Sequence, residues 1–271
     1  MHIGRPPVPK EHGAWFMLLV PLLIPVIALR PLPVWDILIL CVTAVTAFMA
    51  QNTISVLQKP HGDSYGVFWL IVFGLIGTAG AARLILVSGH GDLVGLGVLA
   101  SAIYGLNLLI GRVLHRRMER TVPGEVNAVA AMALTAPASY VVIAGTLNTA
   151  AWVFYAVTVL FFMSGVLFVN MLLKSGSPVA RRSIGARFRD GWMSTMYHVA
   201  LAGLIVTILL VRPDAAVAWI SIGFLPVILR AFVGVATLGR KKPVFKRVGL
   251  REAAYAVWYA LFAQAALRIW I

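Results

Sequence analysis

The chain has 271 residues, of which 61% are hydrophobic and 12% are charged. Ordinary soluble domains contain roughly 45–50% apolar and roughly 25% charged residues, so a water-soluble fold of this length could not cover its apolar surface. Lysine and arginine outnumber the acids by 23 to 9, which gives a formal net charge of +14. The many long apolar segments exclude a soluble nucleic-acid-binding protein, and in a membrane protein such a basic excess indicates orientation and contact with anionic lipid.

Apolar segments long enough to cross a membrane recur along the whole chain. A helix needs roughly 20 residues to cross a hydrocarbon core of about 30 Å. The sequence therefore predicts an all-α, polytopic integral membrane protein in which residues 1–271 form a single transmembrane domain. About nine spans are predicted, at residues 14–29, 34–57, 66–87, 92–111, 125–145, 149–173, 191–212, 215–237 and 251–270.

The distribution of basic residues predicts an orientation. With the N-terminus in the cytoplasm and the C-terminus outside, most lysine and arginine residues fall in cytoplasmic segments, as the positive-inside rule requires. The exceptions are Arg30, Arg83, Arg212, Arg230 and Arg268. We therefore expect a multi-pass protein of the bacterial inner (cytoplasmic) membrane, in contact with the lipid bilayer and with anionic lipid headgroups at the cytoplasmic face.

The acidic residues are few, and eight of the nine stand in or just before the first turn of a predicted span. These are Glu11, Asp36, Asp63, Asp92, Glu125, Asp190, Asp214 and Glu252. A carboxylate in that position is stabilised by the helix macrodipole, typically by about 0.3–1 kcal/mol. The pattern favours a helix-start role for each of them, and no carboxylate is expected deep in the membrane to relay protons.

Several polar residues inside the spans share one depth. Gln51, Asn52, Asn107, Asn127, Asn170 and His198 all fall in the cytoplasmic half of the predicted topology. Each could hydrogen-bond a neighbouring helix, which is the usual role of an amide in lipid. Alternatively they converge on one cavity below the basic loops, where an anionic headgroup or phosphate would be attracted. Those loop cations also fit the positive-inside rule alone, so both interpretations stay open.

Small residues and prolines predict local features of the helices. Small residues permit close approach of neighbouring backbones at Gly74, Gly77, Gly80 and Ala81 in the third span and at Gly95 and Gly97 in the fourth. Prolines within the spans are expected to kink their helices because each removes a backbone donor. They are Pro21, Pro25, Pro137 and Pro226.

Motifs for metals and cofactors are absent from the sequence. It contains no phosphate-binding P-loop, no HExxH and no paired cysteines, and its single cysteine, Cys41, excludes an internal disulfide. His198 is the only histidine well inside a span, which disfavours a haem held by two histidines. The sequence predicts no metal site, and it leaves any other cofactor unknown.

Three short motifs resemble the YwiC-like family of bacterial membrane proteins. They are PKEHGAW at residues 9–15, RTVPGE at 120–125 and LTAPA at 134–138. The resemblance covers the whole length, but that family is functionally uncharacterised. Because Lys10, Glu11 and His12 lie just ahead of Gly13 and the interfacial Trp15, we expect these three residues to form a local site at the cytoplasmic mouth.

The topology is also similar to that of the UbiA superfamily of intramembrane prenyltransferases. Those enzymes hold Mg²⁺ and a prenyl diphosphate on aspartate-rich motifs after spans two and six. Here Asn52 matches the first motif but the aspartates are missing, and the region of Asn170 contains none either. The resemblance implies a bundle in which Asn52 lies near Asn170 with Lys59 and Lys174 above them, without an ordinary Mg²⁺ site.

These observations lead to a predicted ligand-binding set and to three hypotheses. The set comprises Lys10, Glu11, His12, Gln51, Asn52, Lys59, Arg117, Arg120, Glu125, Asn127, Asn170, Lys174 and His198. The first hypothesis is a UbiA-like protein that handles an isoprenoid or another lipid in a basic, cytoplasm-facing cavity; whether it catalyses a reaction is open. The alternatives are a small-molecule transporter and a non-catalytic membrane subunit.

Overall fold

The fold is that of a computed structural model, which describes residues 5–9, 12–58, 65–113, 121–174, 184–239 and 243–270. These residues form helices and no strand, so the all-α prediction is confirmed. The helices are α1 (His12–Ala28), α2 (Val34–Leu57), α3 (Tyr65–Ala82), α4 (Asp92–Val113), α5 (Val122–Ala133), α6 (Thr135–Ala144), α7 (Thr149–Lys174), α8 (Ile184–Val211), α9 (Ala215–Thr237) and α10 (Phe245–Trp270). A π-helical turn, Arg83–Val87, continues α3.

Within the part of the chain that the structure describes, seven helical segments are long and apolar enough to cross a membrane. They are Val34–Leu57, Tyr65–Val87, Asp92–Val113, Val122–Ala144, Thr149–Lys174, Gly185–Val211 and Ala215–Thr237. This confirms a polytopic membrane protein. Helix α1 is apolar but shorter, and α10 carries Lys246, Arg247 and Arg251 in its first two turns. The count of nine spans and the orientation of the chain stay predictions.

The first and last helices pack side by side and run in the same direction. Arg268 near the end of α10 donates from Nε to the carbonyl of Ala28 at 3.2 Å and from Nη2 to that of Ile27 at 2.7 Å. Both helices therefore end at the same end of the bundle, as a first and a ninth crossing would. We call the end at which α1 begins the N-terminal end and the other the opposite end.

The predicted fifth span is broken into α5 and α6 next to Pro137. Proline lacks the N–H that would bond to the carbonyl four residues earlier, and the break lies at Leu134, beside that carbonyl. Thr135 donates its hydroxyl to the carbonyls of Leu18 and Met132, at 2.9 and 2.8 Å, and so ties the break to α1. Gly145, with φ of 80°, ends α6.

Close packing joins α2 to α3 through glycine. A Cβ atom built on Gly80 would lie 2.2 Å from the Thr43 hydroxyl, and one on Gly77 would lie 3.1 Å from that of Thr46. The predicted close approach is therefore confirmed at these two glycines. It is wrong for Gly74, Gly95 and Gly97, where an added Cβ would meet nothing within 4 Å.

The helix-start position predicted for the carboxylates is confirmed for three of them at the opposite end, and one of the three caps its own helix. Asp214 caps α9 by accepting from the backbone N–H of Val217 at 2.8 Å. Asp92 begins α4 and accepts from the backbone N–H of Leu147 at 2.7 Å. Asp36, in the first turn of α2, accepts from the hydroxyl of Ser88 at 2.8 Å.

The same prediction is wrong for Asp190 and Glu252. Helices α8 and α10 begin at Ile184 and Phe245, so both acids lie one to two turns inside their helices. The hydrophobicity window placed both starts too late because the first turns carry Arg187, Arg189, Lys246 and Arg247. At a rise of 1.5 Å per residue, α10 is about 39 Å long, so these basic turns extend beyond a hydrocarbon core of about 30 Å.

Candidate functional site

A cavity of about 190 Å³ lies at the N-terminal end, between the start of α5, the end of α7 and the first turns of α8. Its walls combine polar and apolar side chains. The polar residues are Asn170, Lys174, Arg189, Asp190 and Ser194, and the apolar ones include Leu167, Met171, Trp192 and Met193. Two members of the predicted set, Asn170 and Lys174, therefore line one cavity.

Asn170 connects this cavity to a third predicted residue. Its Nδ2 donates to the carboxylate of Glu125 and, at 3.2 Å, to the carbonyl of Val166. Glu125 lies in the first turn of α5, which Thr121 caps by accepting from the backbone N–H of Gly124 at 3.3 Å. The amide thus fixes the end of α7 against the start of α5 and engages the Glu125 charge.

His198 is fully buried behind the cavity wall. Its Nδ1 lies 2.6 Å from the carbonyl of Ser194, and its Nε2 lies 2.7 Å from the hydroxyl of Ser164. A carbonyl only accepts, so we assign the ring proton to Nδ1, and Nε2 then accepts from Ser164. Ser194 Oγ is 3.5 Å from Nδ1, too far for a good hydrogen bond, which leaves the Ser194 hydroxyl proton without an acceptor among the described residues.

A buried ion pair continues the same chain of hydrogen bonds. Arg230 on α9 donates from Nη1 to the carboxylate of Glu252 on α10, and from Nη2 to Ser164 Oγ at 2.8 Å and to its carbonyl at 3.1 Å. The guanidinium also lies over the ring of Phe168, 4.3 Å from its centroid. Glu252, Arg230, Ser164 and His198 thus connect four helices, α10, α9, α7 and α8, to the cavity wall.

Two glycines make room for this network. A Cβ on Gly234 would lie 2.4 Å from the ring of Phe168, and one on Gly165 would lie 3.1 Å from Glu252 Oε2. Only a residue without a side chain lets the partner groups approach so closely. The network therefore depends on close backbone approach as well as on charge.

Arg230 and Glu252 are not in the predicted ligand-binding set. In the sequence Arg230 is an exception to the positive-inside distribution, and Glu252 resembles a helix-start residue. The signal was nevertheless present, because an arginine well inside an apolar segment is expensive in lipid and calls for a named partner. The partner lies 22 residues later, on the next helix.

Three other described members of the predicted ligand-binding set do not line this cavity. Asn52 donates to the carbonyl of Pro7 at 2.6 Å, and Asn127 donates to Asn107 Oδ1 at 2.8 Å. Asn52 and Asn170 therefore form hydrogen bonds with different groups, and they form none with each other. Gln51 lines a different, apolar groove. Lys10, Glu11, Lys59, Arg117 and Arg120 lie outside the described residues, and of His12 only the backbone is described.

The donor set around the cavity does not fit a Mg²⁺ ion. Among the described residues, no three histidine, cysteine, aspartate or glutamate side chains come together to hold a metal. Glu125 is engaged by an amide, and the nearby cations Lys174 and Arg189 would repel a divalent ion. Phosphate chemistry at this place would therefore depend on side-chain cations.

The fold and its buried polar site define a polytopic helical membrane protein with a polar cavity at one end. The chain matches the family described as YwiC-like protein over residues 8–140. It is also 26% identical to the "Uncharacterized protein YwiC" of Bacillus subtilis (strain 168) over 259 residues, which cover 93% of this chain and 94% of that protein. No solved structure matches. The predicted resemblance to the YwiC-like family is confirmed, while the resemblance to the UbiA superfamily stays a prediction.

Proposed function

We propose that the chain is a lipid-handling protein that binds the phosphate of an anionic lipid in the cavity between α5, α7 and α8. The observation that carries this proposal is that Lys174, Arg189 and Ser194 line one cavity, and that the Ser194 hydroxyl has no close acceptor among the described residues. Together they offer two positive charges and a neutral donor. Charge-assisted hydrogen bonds of this kind are roughly twice as strong as neutral ones.

The charges around the cavity favour an anion. Lys174 interacts electrostatically with Glu125, which also accepts a hydrogen bond from Asn170, but Glu125 itself does not line the cavity. Asp190 also lines the cavity, and its Oδ1 lies 4.0 Å from Arg189 Nε. Because the Arg189 side chain is 83% exposed, that pair is weak and leaves the guanidinium available. The lining thus carries two cations and one acid.

The apolar part of the lining favours a lipid over a free small anion. Leu167, Met171 and Met193 also line the cavity, as does Trp192, which is 54% exposed. Tryptophan is enriched at the level of lipid headgroups. A cavity of about 190 Å³ is smaller than the roughly 300–1,000 Å³ of sites that enclose a whole ligand. It suits a phosphate group whose chains remain in the bilayer.

The leaflet follows from the predicted orientation. If the N-terminus is cytoplasmic, the cavity lies in the cytoplasmic leaflet of the bacterial inner membrane. A phospholipid and an isoprenoid phosphate present the same phosphate chemistry there, so both are candidates. The proposal specifies a binding site and leaves any reaction on the bound lipid open.

Native mass spectrometry of the purified protein tests this proposal. Protein in mild detergent is titrated with phosphatidylglycerol, with a polyprenyl phosphate and with inorganic phosphate in separate arms. We expect an anionic lipid to be retained and inorganic phosphate to bind weakly. Lys174→Glu should reduce lipid retention roughly tenfold, the equivalent of about 1.4 kcal/mol.

The matched control is Lys246→Glu, a change at an equally basic, exposed position on α10 that does not line the cavity. It should leave lipid retention unchanged. Retention should weaken with added salt because the contact is ionic, and it should survive EDTA. Equal loss in the two variants would mean that the cations act only through general surface charge, and the proposal would be wrong.

A further inference from the structure

A second, larger space lies on the other side of α5 and α6. It is a groove of about 620 Å³ bounded by α2, the π-helical turn, α4 and the α5–α6 pair. Most of its lining side chains are aliphatic or aromatic, and none is charged; the polar ones are Thr43, Gln51, Ser101, Thr135 and the Tyr104 hydroxyl. No residue lines both this groove and the cavity at the N-terminal end.

The groove lies between two groups of packed helices. Helix α3 packs along α2, where the glycine contacts at Gly77 and Gly80 hold the two together, and α4 packs along α5 and α6. Gly97 on α4 lines the space between, and a Cβ added there would meet nothing within 4 Å. At Gly97 the wall formed by α4 therefore has no side chain, and space remains between α4 and α2.

The lining changes in character along the groove. Leu84 and Leu93 lie toward the opposite end, and Leu84 is only 1% exposed. Gln51 and Tyr104 lie farther toward the N-terminal end, where Gln51 contributes a side-chain amide to the lining. The groove is therefore apolar at its closed base and offers an amide nearer to the predicted headgroup region.

The base of the groove is formed by irregular helix. Leu84 and Ile85 both belong to the π-helical turn Arg83–Val87 and both line the groove. The turn ends α3, and π-type turns are common at the C-terminal ends of helices. It therefore accounts for the local shape of the groove at this end.

We propose that the groove binds the hydrocarbon chain of an amphipathic lipid, with its polar head toward the N-terminal end. The groove opens among lipid-facing helices, because Leu75 on α3 and Leu109 on α4 are 67% and 62% exposed. No water is present in the bilayer core to fill an apolar space. A groove without an occupant would deprive its lining atoms of van der Waals partners, and a lipid chain is the apolar material at hand.

Shape is what distinguishes this site from ordinary lipid contact. Lipid tails are as apolar as leucine, so burial of a chain from the bilayer gains no hydrophobic free energy. Affinity must then come from close packing against the small residues of the walls, which include Ala44, Ala47, Gly97 and Ala100. A single larger side chain in the groove should therefore remove the site.

Photo-crosslinking from the lipid chain tests this inference. The protein in bilayer vesicles is exposed to a phospholipid with a photoreactive acyl chain and, in a second arm, to a photoreactive polyprenyl lipid, and labelled residues are mapped by mass spectrometry. We expect labels on groove residues such as Thr43, Ala47 and Ser101. The arm that labels them more efficiently identifies the class of chain, and equal labelling indicates a site that takes either.

Gly97→Leu and its neighbour Gly95→Leu form a matched pair. Both glycines lie in α4 and have open space around them, but only Gly97 lines the groove. Gly97→Leu should lower groove labelling roughly tenfold, the equivalent of about 1.4 kcal/mol, whereas Gly95→Leu should not. Equal labelling in the two variants, or no groove label in either arm, would overturn the inference.

Two further measurements keep this result separate from the phosphate site. The apparent melting temperatures of both glycine variants show whether the fold is retained, and both should match the parent protein or exceed it because leucine favours a helix over glycine. Lys174→Glu should leave groove labelling intact. Loss of groove labelling in Lys174→Glu would instead make the groove and the phosphate site one site and contradict the separate site proposed.

Discussion

Arg230 on α9 and Glu252 on α10 form an ion pair inside the helix bundle, and the Arg230 side chain is 95% buried by its neighbours. Arg230 lies seven residues before the end of α9 at Thr237, and Glu252 lies seven residues after the start of α10 at Phe245. At helical rise this is about 10 Å below the N-terminal end. The pair therefore connects two neighbouring helices at the depth of the phosphate cavity.

Removal of one partner of this pair should be costly. Glu252→Gln leaves Arg230 uncompensated in a buried place, and such changes typically cost about 3–5 kcal/mol. We expect a clear fall in the apparent melting temperature in detergent. The double change Arg230→Met with Glu252→Leu should be less destabilising than Glu252→Gln, because no unpaired charge remains. A double variant at least as unstable as the single one would contradict this account.

Gly234 should tolerate no side chain. Alanine there would place its Cβ against the ring of Phe168, which stacks on Arg230, and overpacking of this kind typically costs about 1–3 kcal/mol. The control is Gly249→Ala on α10, where the added Cβ meets nothing within 4 Å and should stabilise the helix by roughly 0.5–1 kcal/mol. Opposite shifts of the melting temperature are expected, and a shift in the same direction would contradict the close packing of Gly234.

The Asn170–Glu125 contact predicts a difference between two substitutions at one position. Asn170→Ala removes a hydrogen bond, which typically costs about 1–3 kcal/mol when the acceptor is a partly buried charge. Asn170→Asp places a second carboxylate against the first, so it should destabilise the protein further. Chemical unfolding of both variants measures the difference. If the aspartate variant is the more stable, Glu125 is not the partner of Asn170.

Reporter fusions test the predicted orientation. A reporter that is active only outside the cytoplasmic membrane should be active after Ile271 and inactive after Lys242, because α10 would cross the membrane between them. Identical signals at the two positions would mean that α10 does not cross. A reversed pattern would place the basic loops outside and invert the predicted leaflet of the phosphate cavity.

The sequence predicted the fold class well because long apolar segments have few alternatives in a chain so poor in charge. The predicted ligand-binding set includes Asn170, Lys174 and Glu125, which the structure brings together, but whether any residue of the set binds a ligand stays a prediction. What the sequence could not predict is lateral arrangement. Hydrophobicity indicates how deep a residue lies in the membrane, whereas packing decides which helices are neighbours. The predicted proximity of Asn52 to Asn170 therefore has no counterpart in a hydrogen bond, and Asn52 donates to the carbonyl of Pro7 instead.

The sequence does not indicate the network around Arg230, because that network also depends on lateral packing. A window that averages hydrophobicity treats the basic turns at the start of α10 as a loop, and Glu252 then resembles a helix-start residue. The pairing of Arg230 with Ser164 and Glu252 requires the contacts of three helices, which no local pattern specifies. The two glycines that permit it, Gly165 and Gly234, have no signature that separates them from other glycines in the spans.

The most direct test of the proposed function is a cryo-electron microscopy structure of the protein in nanodiscs of phosphatidylglycerol, determined for the parent chain and for Lys174→Glu. We predict headgroup density in the cavity of the parent chain, with a phosphate oxygen within about 3 Å of Lys174 Nζ and of Ser194 Oγ. That density should be lost in the variant while the helices keep their positions. A cavity that contains only water or side chains in the parent chain at saturating anionic lipid would contradict the proposed phosphate site.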